Sequence, residues 1–436
     1  MADAYASAFV MGKRGETIMN QNNLTTYVSY LLQNQNDQAT MLGIGPMSES
    51  LITACFELAE ADRFPLMFIA SRNQVDLDEL GGGYVCGWDQ RRFAADLKRI
   101  AEEVNFTGDY FLCRDHGGPW QRDKERNDHL AEQDAMKLAH QSYEADLLNG
   151  FDLLHIDPTK DPYITGKVIP LDVVLDRTID LIRYCESFRK ENNLPEVAYE
   201  VGTEETNGGL TSSEVYEGFI KTLTERLDAE SLPRPAFIVG QTGTLTRLTE
   251  NVGHFSAENA KVLSNLAKKY GVGLKEHNGD YLPDTILLQH PAVGITAMNV
   301  APSYGTAETR AYLNLMEVER REFEAGRLEK RSSLHATLQD EVLAGGRFKK
   351  WLVGEQLQMT KEELKADKDL MFTITELAGH YTYNNETIKN GLNELFENLS
   401  ALSIDGRRYA INQIKKVIRN EAECFNLVGL TDRINK

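Results

Sequence analysis

The sequence predicts an α/β protein, a (β/α)8 TIM barrel with a C-terminal helical appendage. Between about residues 40 and 330, short apolar segments alternate eight times with helical segments of ten or more residues. This alternation is typical of βαβ units and a parallel sheet. Eight repeats in about 290 residues match the size of a (β/α)8 barrel. Polar residues end most of the apolar segments, as a site at the carboxyl ends of barrel strands requires.

A leading helix over residues 19–35 belongs to an N-terminal extension, 1–39. The barrel covers 40–330, and helix-like stretches without strand alternation fill 331–436. An open doubly wound sheet is the alternative, but no G-x-G-x-x-G follows the first strand and no P-loop is present. The predicted strands are 41–47, 65–71, 109–116, 151–159, 197–204, 235–243, 272–280 and 295–303.

Composition excludes several classes of protein. The 436 residues are 42% apolar and carry a net charge of -19, so we expect no nucleic-acid partner and no anionic membrane partner. No apolar run approaches the roughly 18 residues of a membrane span, and the N-terminus lacks the pattern of a signal peptide. Five scattered cysteines without a CxxC pair suit a reducing compartment, so we expect a cytoplasmic protein. KRGET before Met19 resembles a translated ribosome-binding site, so we expect Met19 to be the natural start.

Chemically active side chains end several of the predicted strands. The third strand ends on Asp115 and His116, the fifth on Glu204 and the seventh on His277. Because the carboxyl ends of barrel strands meet at one mouth, these residues form a candidate site of two histidines and a carboxylate. Such a set suits zinc or another divalent transition metal, such as manganese, cobalt or nickel. Gln241, at the end of the sixth strand, is either a further ligand or a hydrogen-bonded loop residue.

A metal site of this kind favours chemistry next to a carbonyl. A divalent ion bound to a ketone and an adjacent hydroxyl polarises the carbonyl, and a carboxylate such as Asp115 can move a proton on a neighbouring hydroxyl. Aldol chemistry on a polyol then makes or breaks a carbon–carbon bond. Candidate cations for an anionic substrate group are Arg72, Lys275 and Arg310, although such side chains are usually just solvated. Candidate substrate contacts, or structural loop residues, are Asn73, Gln74, His155, Asp157, Glu200, Asp280 and Asn299.

These residues lie in runs that resemble a known family. RNQVD, RDHGGPW, FDLLHIDPT, EVGTEE and KEHNGDY look like the GatZ/KbaZ type, the non-catalytic subunits of class II tagatose-bisphosphate aldolase. More distant relatives are the catalytic class II ketose-bisphosphate aldolases, zinc-dependent (β/α)8 barrels with an Asp-His pair after one strand. The resemblance implies a general acid at Asp115 and a metal ligand at His116. His277 resembles the histidine of their later His-Gly-Gly motif, and Asn299 resembles their substrate-binding asparagine.

Three departures from the catalytic relatives affect the expected activity. Their Gly-x-x-His-Gly segment, which holds a metal-binding histidine, corresponds here to VGQTGTLT. Residues 278–280, Asn-Gly-Asp, replace the Gly-Ser-Gly phosphate loop, and an aspartate repels a phosphate dianion. Asn299 is followed by Val-Ala-Pro, so the Asn-x-Asp-Thr run is lost. We therefore expect no standard bisphosphate aldolase activity from this chain alone.

Two main functions remain, each acting on a ketose or ketose phosphate. The first is an accessory subunit that stabilises a catalytic aldolase subunit, which the lost histidine and altered phosphate loop favour. The second is a metal-dependent ketose (phosphate) 4-epimerase, an activity that the resemblance also implies, because some members of this family have it. It would work by retro-aldol cleavage and re-addition, with Asp115 and Glu200 as acid/base groups. The retained Asp115, His116, Glu204 and His277 favour this function. A sugar-binding barrel without turnover is a third alternative, and in each case we expect a homo-oligomer.

Overall fold

The computed structural model describes residues 23–34, 36–164, 169–203 and 209–435. Met19 and Glu204 therefore lie outside the described residues. Eight parallel strands form a closed barrel in which each strand pairs with the next in sequence and the last pairs with the first, which confirms the predicted fold. The strands are β1 (Met41–Ile44), β2 (Leu66–Ser71), β3 (Tyr110–Gly117), β4 (Leu153–Ile156), β5 (Ala198–Val201), β6 (Phe237–Val239), β7 (Gly273–Glu276) and β8 (Ala297–Val300).

Helices cover the outside of the barrel, so the strands are buried on both faces and appear in the sequence as apolar runs. Side-chain caps fix where several helices begin: Ser48 accepts from the N–H of Leu51, and Ser256 accepts from the N–H of Asn259. A small antiparallel hairpin, Thr246–Arg247 with Glu250–Asn251, follows β6. The helices are α1 (Asn23–Gln33), α2 (Glu49–Asp62), α3 (Gln90–Glu103), α4 (Asp123–Asn127), α5 (Glu132–Leu148), α6 (Leu171–Glu191), α7 (Ser213–Ala229), α8 (Ala257–Lys269), α9 (Asp284–Leu287), α10 (Gln289–Val293) and α11 (Pro302–Glu324).

The leading helix α1 covers the amino ends of the strands. Leu24, Val28 and Leu31 on one face of α1 are buried. The Tyr27 hydroxyl donates to Asp109, directly before β3, at 2.7 Å. The opposite end of the barrel, where the strands finish, is thus left for the polar side chains.

The chain after the barrel is helical, as predicted. Together with one face of α11, most of these helices build a second apolar core around Tyr312, Leu338 and Leu395. The long penultimate helix instead packs against α2 and α11, and its Ile414 and Ile418 join the core of the barrel. Within the described ranges, no helix combines the length and the apolar character needed to cross a bilayer. The helices are α12 (Leu334–Gly345), α13 (Lys361–Ala366), α14 (Lys368–Ala378), α15 (Glu386–Ser400), α16 (Gly406–Cys424) and α17 (Leu430–Ile434), with 3-10 turns at Arg347–Trp351, Gly354–Gln358 and Gly379–Thr382.

Candidate active site

A β-bulge places the Asp-His pair at the mouth of the barrel. The pairing of β3 with β4 shifts between Arg114 and Gly117, so that Asp115 and His116 together stand opposite the single residue His155. Consecutive strand residues normally point to opposite faces, and a bulge re-aims one of them. His116 takes a left-handed backbone conformation with φ of 45°, which a non-glycine residue adopts only when its surroundings enforce it. Both side chains consequently face the same space.

A carboxylate orients the His116 ring. Its Nδ1 lies 2.6 Å from Oδ2 of Asp157, which directly follows β4. The other oxygen of Asp157 accepts from the backbone N–H of Thr159 at 3.2 Å and from its hydroxyl, so the carboxylate is itself fixed. An imidazole held at one nitrogen by a carboxylate presents the other nitrogen to a metal ion or a substrate. In His116, that free nitrogen is Nε2.

Three imidazoles meet at this point. The ring centroids of His116 and His277 are 4.9 Å apart, those of His116 and His155 are 5.1 Å apart, and those of His155 and His277 are 5.3 Å apart. Nδ1 of His155 accepts from the backbone N–H of His116 at 3.2 Å, so this nitrogen carries a lone pair. Nε2 of His155 is buried without a hydrogen-bond partner among the described residues. We name these three residues the imidazole cluster.

Glu200, on β5, lies beneath the imidazole cluster and is fully buried. Its Oε1 is 2.9 Å from Nε2 of His277 and 3.5 Å from Nδ1 of His155, while Oε2 accepts from the ammonium of Lys275. Lys275, on β7, is buried as well. Lys275 thus neutralises one oxygen of Glu200, and the other oxygen faces two imidazoles.

Asn299, on β8, holds Asp115 in place. Its Nδ2 donates to Oδ1 of Asp115 at 3.0 Å and lies 3.2 Å from Nε2 of His277. The neighbouring strand β1 has Gly43 at this level, and a Cβ there would lie 2.3 Å from Oδ1 of Asn299. The absence of a side chain at Gly43 therefore leaves the room that Asn299 occupies.

The electrostatics of the site favour a positive charge. Burial raises the pKa of the Asp115 carboxyl, but His116, His155 and His277 outweigh burial and hold it well below its usual range. The pKa of Glu200 is lowered in the same way, against burial, by His155, Lys275 and His277. Burial lowers the pKa of His116, but Asp115 and Asp157 raise it to about 9. Burial lowers the pKa of His277. At neutral pH the carboxylates of Asp115 and Asp157 therefore favour the protonated, positively charged form of His116.

The donor set fits a divalent transition metal ion. Asp115, His116 and His155 offer ligand atoms within 4.8 Å of one another, and so do His155, Glu200 and His277. Ligands about 2.0–2.2 Å from one ion are separated by about 3–4 Å, so small side-chain shifts would bring either set onto an ion. With neutral imidazoles, the carboxylates of Asp115, Asp157 and Glu200 and the ammonium of Lys275 leave two negative charges. A divalent cation would balance them, and imidazole with carboxylate ligands suits zinc, manganese, cobalt or nickel.

The structure brings several of the predicted site residues together and gives others partners elsewhere. Asp115, His116, His155, Asp157, Glu200, Lys275, His277 and Asn299 form one contiguous group. Gln241 is buried at the end of β6, where its backbone pairs with Thr211. Glu204 lies outside the described residues, so its role as a metal ligand stays a prediction.

The remaining candidates make structural contacts. The buried guanidinium of Arg72 pairs with Asp76 and Glu125. Gln74 binds the backbone of Ser71 and Pro46, and the backbone carbonyl of Asn73 accepts from the N–H of Tyr84. Arg310 pairs with Glu376 at 2.5 Å. Oδ1 of Asp280 accepts from the N–H groups of Ala301 and Ser303, so Asp280 caps the start of α11.

Two features of the group were not predicted from the sequence. His155 was expected to contact substrate or to be a structural loop residue; it lies in the imidazole cluster, and its contact with substrate stays a prediction. Lys275 was expected to meet an anionic substrate group, whereas its ammonium contacts Glu200. His155 and Asp157 are two residues apart at a strand end, and this spacing in the sequence predicts that their side chains lie on the same face of the strand.

A closed barrel with imidazoles and carboxylates gathered at the carboxyl ends of its strands belongs to the class of TIM-barrel proteins with a site at that mouth. The chain belongs to the D-tagatose-1,6-bisphosphate aldolase subunit GatZ/KbaZ-like family, whose profile matches residues 29–423. The resemblance seen in the sequence is thereby confirmed. No curated protein sequence matches the chain significantly.

Solved structures show the same fold at low sequence identity. The crystal structure of a probable tagatose 6 phosphate kinase from Sinorhizobium meliloti 1021 has a TM-score of 0.73 and 19% identity, covering 88% of this chain and 100% of that chain. The glycerol-complexed fructuronate-tagaturonate epimerase UxaE from Cohnella laeviribosi has a TM-score of 0.52 and 12% identity, covering 89% of this chain and 81% of that chain. At these identities the similarity establishes the fold, and function has to be argued from the site.

Proposed function

We propose that this protein is a divalent-metal-dependent enzyme that inverts C4 of a ketose or ketose phosphate by retro-aldol cleavage and re-addition. The observation that supports it most strongly is the imidazole cluster, which stands with Asp115 and Glu200 at the barrel mouth. A scaffold has no physical need to gather three imidazoles, two of them buried, among carboxylates, because such groups are costly to desolvate unless a function uses them. The family to which the chain belongs is related to carbohydrate aldolases.

Asp115 is the group best placed for proton transfer. Its carboxyl has a lowered pKa and is ionised at neutral pH, and its side chain is 12% exposed at the mouth. The carboxylate takes the proton of the C4 hydroxyl, the C3–C4 bond breaks, and the bonding pair stays on C3 to give an enediolate and an aldehyde. The aldehyde turns, C3 adds to its other face, and Asp115 returns the proton to the new C4 oxygen. Asn299 keeps the carboxylate in position through both steps.

The residues beneath Asp115 would hold the ion. Glu200 is buried next to His155 and His277 and offers a carboxylate oxygen to the donor set; the proton transfer that the sequence suggested for this residue stays a prediction. Imidazoles from His116, His155 and His277 complete the donor set. A divalent ion, when bound, polarises the ketone carbonyl and stabilises negative charge on the adjacent oxygens.

The test uses the purified chain alone. Metal content is measured by inductively coupled plasma mass spectrometry, and the protein is incubated with D-tagatose, D-fructose and their phosphates while 13C NMR follows the C4 epimers. We expect bound divalent metal and interconversion, both abolished in His116→Ala and retained in His254→Ala, a matched control because His254 is exposed. Asp115→Asn should retain metal and lose turnover. A metal-free wild type without turnover would overturn the proposal.

An accessory subunit is the second candidate, because the family description itself names a subunit. Three large apolar side chains of the helical C-terminal region are exposed and could contact a partner: Val353, Leu357 and Phe372 are 48%, 56% and 49% exposed. Co-purification of this chain with a catalytic class II aldolase, and stabilisation of that aldolase without any activity of the chain alone, would favour this function. The expected homo-oligomer stays a prediction that size-exclusion chromatography with light scattering can test.

A further inference from the structure

A group of cations and aromatic rings stands over one side of the barrel mouth. Tyr84 comes from the loop after β2, Arg347 and Lys350 from the 3-10 turn Arg347–Trp351, and His380 and Tyr381 from the 3-10 turn Gly379–Thr382. We name these five residues the Arg347 cluster. The helical C-terminal region thus supplies four of them, and a barrel loop supplies the fifth.

Contacts with the barrel place the Arg347 cluster above the strands that hold the candidate site. The Tyr84 hydroxyl lies 3.8 Å from the sulfur of Met47, which follows β1. The His380 ring fits against Gly305 in the first turn of α11, after β8, where a Cβ would lie 2.6 Å from its Nδ1. Asp115 and Asn299 lie on β3 and β8, and the two strands between these, β1 and β2, run beneath the cluster.

The cations of the cluster lie over aromatic rings and share one of them. The Arg347 guanidinium carbon lies 4.5 Å from the ring centroid of Tyr84 and 5.3 Å from that of Tyr381. The Lys350 ammonium lies 4.6 Å from the same Tyr381 ring. Cation–π contacts orient both groups. Burial and the charge of Arg347 lower the pKa of the Lys350 ammonium to about 8, although Asp123 raises it, so the two cations repel each other. The ion pairs among the described residues include none with Arg347, and an anion bound between the two cations would relieve the repulsion.

His380 adds a second observation at the same place. It is buried, its ring centroid is 4.0 Å from that of Tyr381, and neither of its nitrogens has a hydrogen-bond partner among the described residues. Burial, Lys350 and Arg347 lower its pKa to about 3, so the ring is neutral and offers one N–H donor. A buried donor without an acceptor is uncommon in a folded protein and indicates a missing partner.

The cations that the sequence suggested for an anionic substrate group are engaged elsewhere. Arg72 pairs with Asp76, Lys275 contacts Glu200 and Arg310 pairs with Glu376. Asp280, in the loop after β7, caps the start of α11, and its carboxyl group offers no cation to an anion. If the substrate carries an anionic group, another part of the mouth has to bind it. Arg347 presents the planar fork of donors that suits a phosphate.

We propose that Arg347 and Lys350 bind the phosphate group of a phosphorylated ligand at the barrel mouth, where the rings of Tyr84 and Tyr381 hold the two cations in place. The proposal rests on the proposed function for the identity of that ligand, a ketose phosphate, and on the contacts of the Arg347 cluster for the anion site itself. The C-terminal helical region would then be a part of the substrate site, and its docking on the barrel would decide whether phosphorylated sugars are preferred.

Inorganic phosphate is the probe, titrated calorimetrically into chelator-treated protein so that neither metal nor turnover contributes. We expect millimolar or tighter binding that weakens at least tenfold in Arg347→Ala and severalfold in Lys350→Ala. Lys349→Ala is the matched control, because Lys349 is exposed on the same turn and should leave affinity unchanged. Arg347→Lys keeps a cation over the rings but loses the planar fork, so it should bind phosphate more weakly than the wild type and more tightly than Arg347→Ala. It guards against misfolding of the alanine variant, which circular dichroism also checks.

Several outcomes would overturn the phosphate site. They are no phosphate binding to the wild type, equal affinity in Arg347→Ala, or acetate competing as well as phosphate, which would assign the site to carboxylates. If only the proposed epimerase activity is wrong, the protein shows no turnover, but phosphate still binds to the metal-free protein and this binding still depends on Arg347. If turnover is present, Arg347→Ala should raise KM for a ketose phosphate and leave KM for the unphosphorylated ketose unchanged.

Discussion

Nδ1 of His116 lies 2.6 Å from Oδ2 of Asp157, so the orientation of an imidazole on β3 depends on a carboxylate that follows β4. The two residues are 41 positions apart in the chain and meet because β3 and β4 are neighbours in the barrel. The hydrogen bond selects which ring nitrogen of His116 faces the imidazole cluster. Asp157 is therefore a positioning residue for the proposed metal site.

Asp157→Asn should weaken metal binding about 10–100-fold, which is the usual effect of removing a carboxylate that orients a metal-binding imidazole. The affinity is measured by competition with a chromophoric chelator. Asp128→Asn serves as the control, since Asp128 is an exposed partner of Lys124. Unchanged metal affinity in Asp157→Asn would show that His116 keeps its orientation without this carboxylate.

His155 should behave as a metal ligand. Zinc added at about 100 times its dissociation constant should stabilise the chelator-treated wild type by about 2.7 kcal/mol, because it binds the folded state only. The resulting rise in Tm, followed by differential scanning fluorimetry, should be lost in His155→Ala and retained in His254→Ala. A rise that persists in His155→Ala would restrict this residue to the substrate contact that the sequence suggested.

The fold could be predicted from the sequence because strands buried on both faces leave continuous apolar runs, and each of the eight runs corresponds to a strand. The Asp-His pair was visible for the same reason, since it directly follows such a run. The surroundings of His155 were not visible, because they depend on a register shift between β3 and β4 that local sequence does not encode.

Partners from distant parts of the chain explain the other differences. Arg72 and Arg310 have the sequence context of site cations. Arg72 pairs with the local Asp76, but its second partner Glu125 and the partner of Arg310, Glu376, lie 53 and 66 residues away. The Arg347 cluster was missed because its cations stand in the C-terminal helical region, where no strand end marks them. Contacts of this kind follow from how the helical region packs on the barrel.

Gly43 should tolerate no side chain. A Cβ on Gly43 would lie 2.3 Å from Oδ1 of Asn299 and would displace Asn299 from Asp115. We expect Gly43→Ala to lower the free energy of unfolding by about 1–3 kcal/mol through overpacking, measured by urea denaturation, and to remove turnover. Gly218→Ala is the matched control, because nothing lies within 4 Å of a Cβ on this exposed glycine of α7. It should stabilise the protein by about 0.5–1 kcal/mol. Full activity in Gly43→Ala would separate Asn299 from the reaction.

A buried carboxyl should make stability depend on pH. Glu421, on α16, is buried and accepts a hydrogen bond from the hydroxyl of Tyr304. Burial, opposed by this hydrogen bond and assisted by the charge of Asp280, raises its pKa from 4.5 to about 8. The folded state then keeps a proton up to about pH 8, whereas the unfolded chain releases it near pH 4.5. The stability that Glu421 contributes is therefore full below about pH 4.5 and is lost as the pH rises to about 8.

Glu421→Gln should remove this dependence, because the amide resembles the protonated carboxyl and does not titrate. Each pKa unit corresponds to about 1.4 kcal/mol, so the variant should gain a few kcal/mol relative to the wild type between pH 5 and pH 8, with no further gain above pH 8. Urea unfolding at pH 5, 6.5, 8 and 9 measures the difference. Glu423→Gln, an exposed neighbour on α16, should follow the wild type at every pH. A difference between Glu421→Gln and the wild type that stays constant from pH 5 to pH 9 would mean that Glu421 is ionised in the folded protein, and that Tyr304 alone is enough to keep its charge in the core.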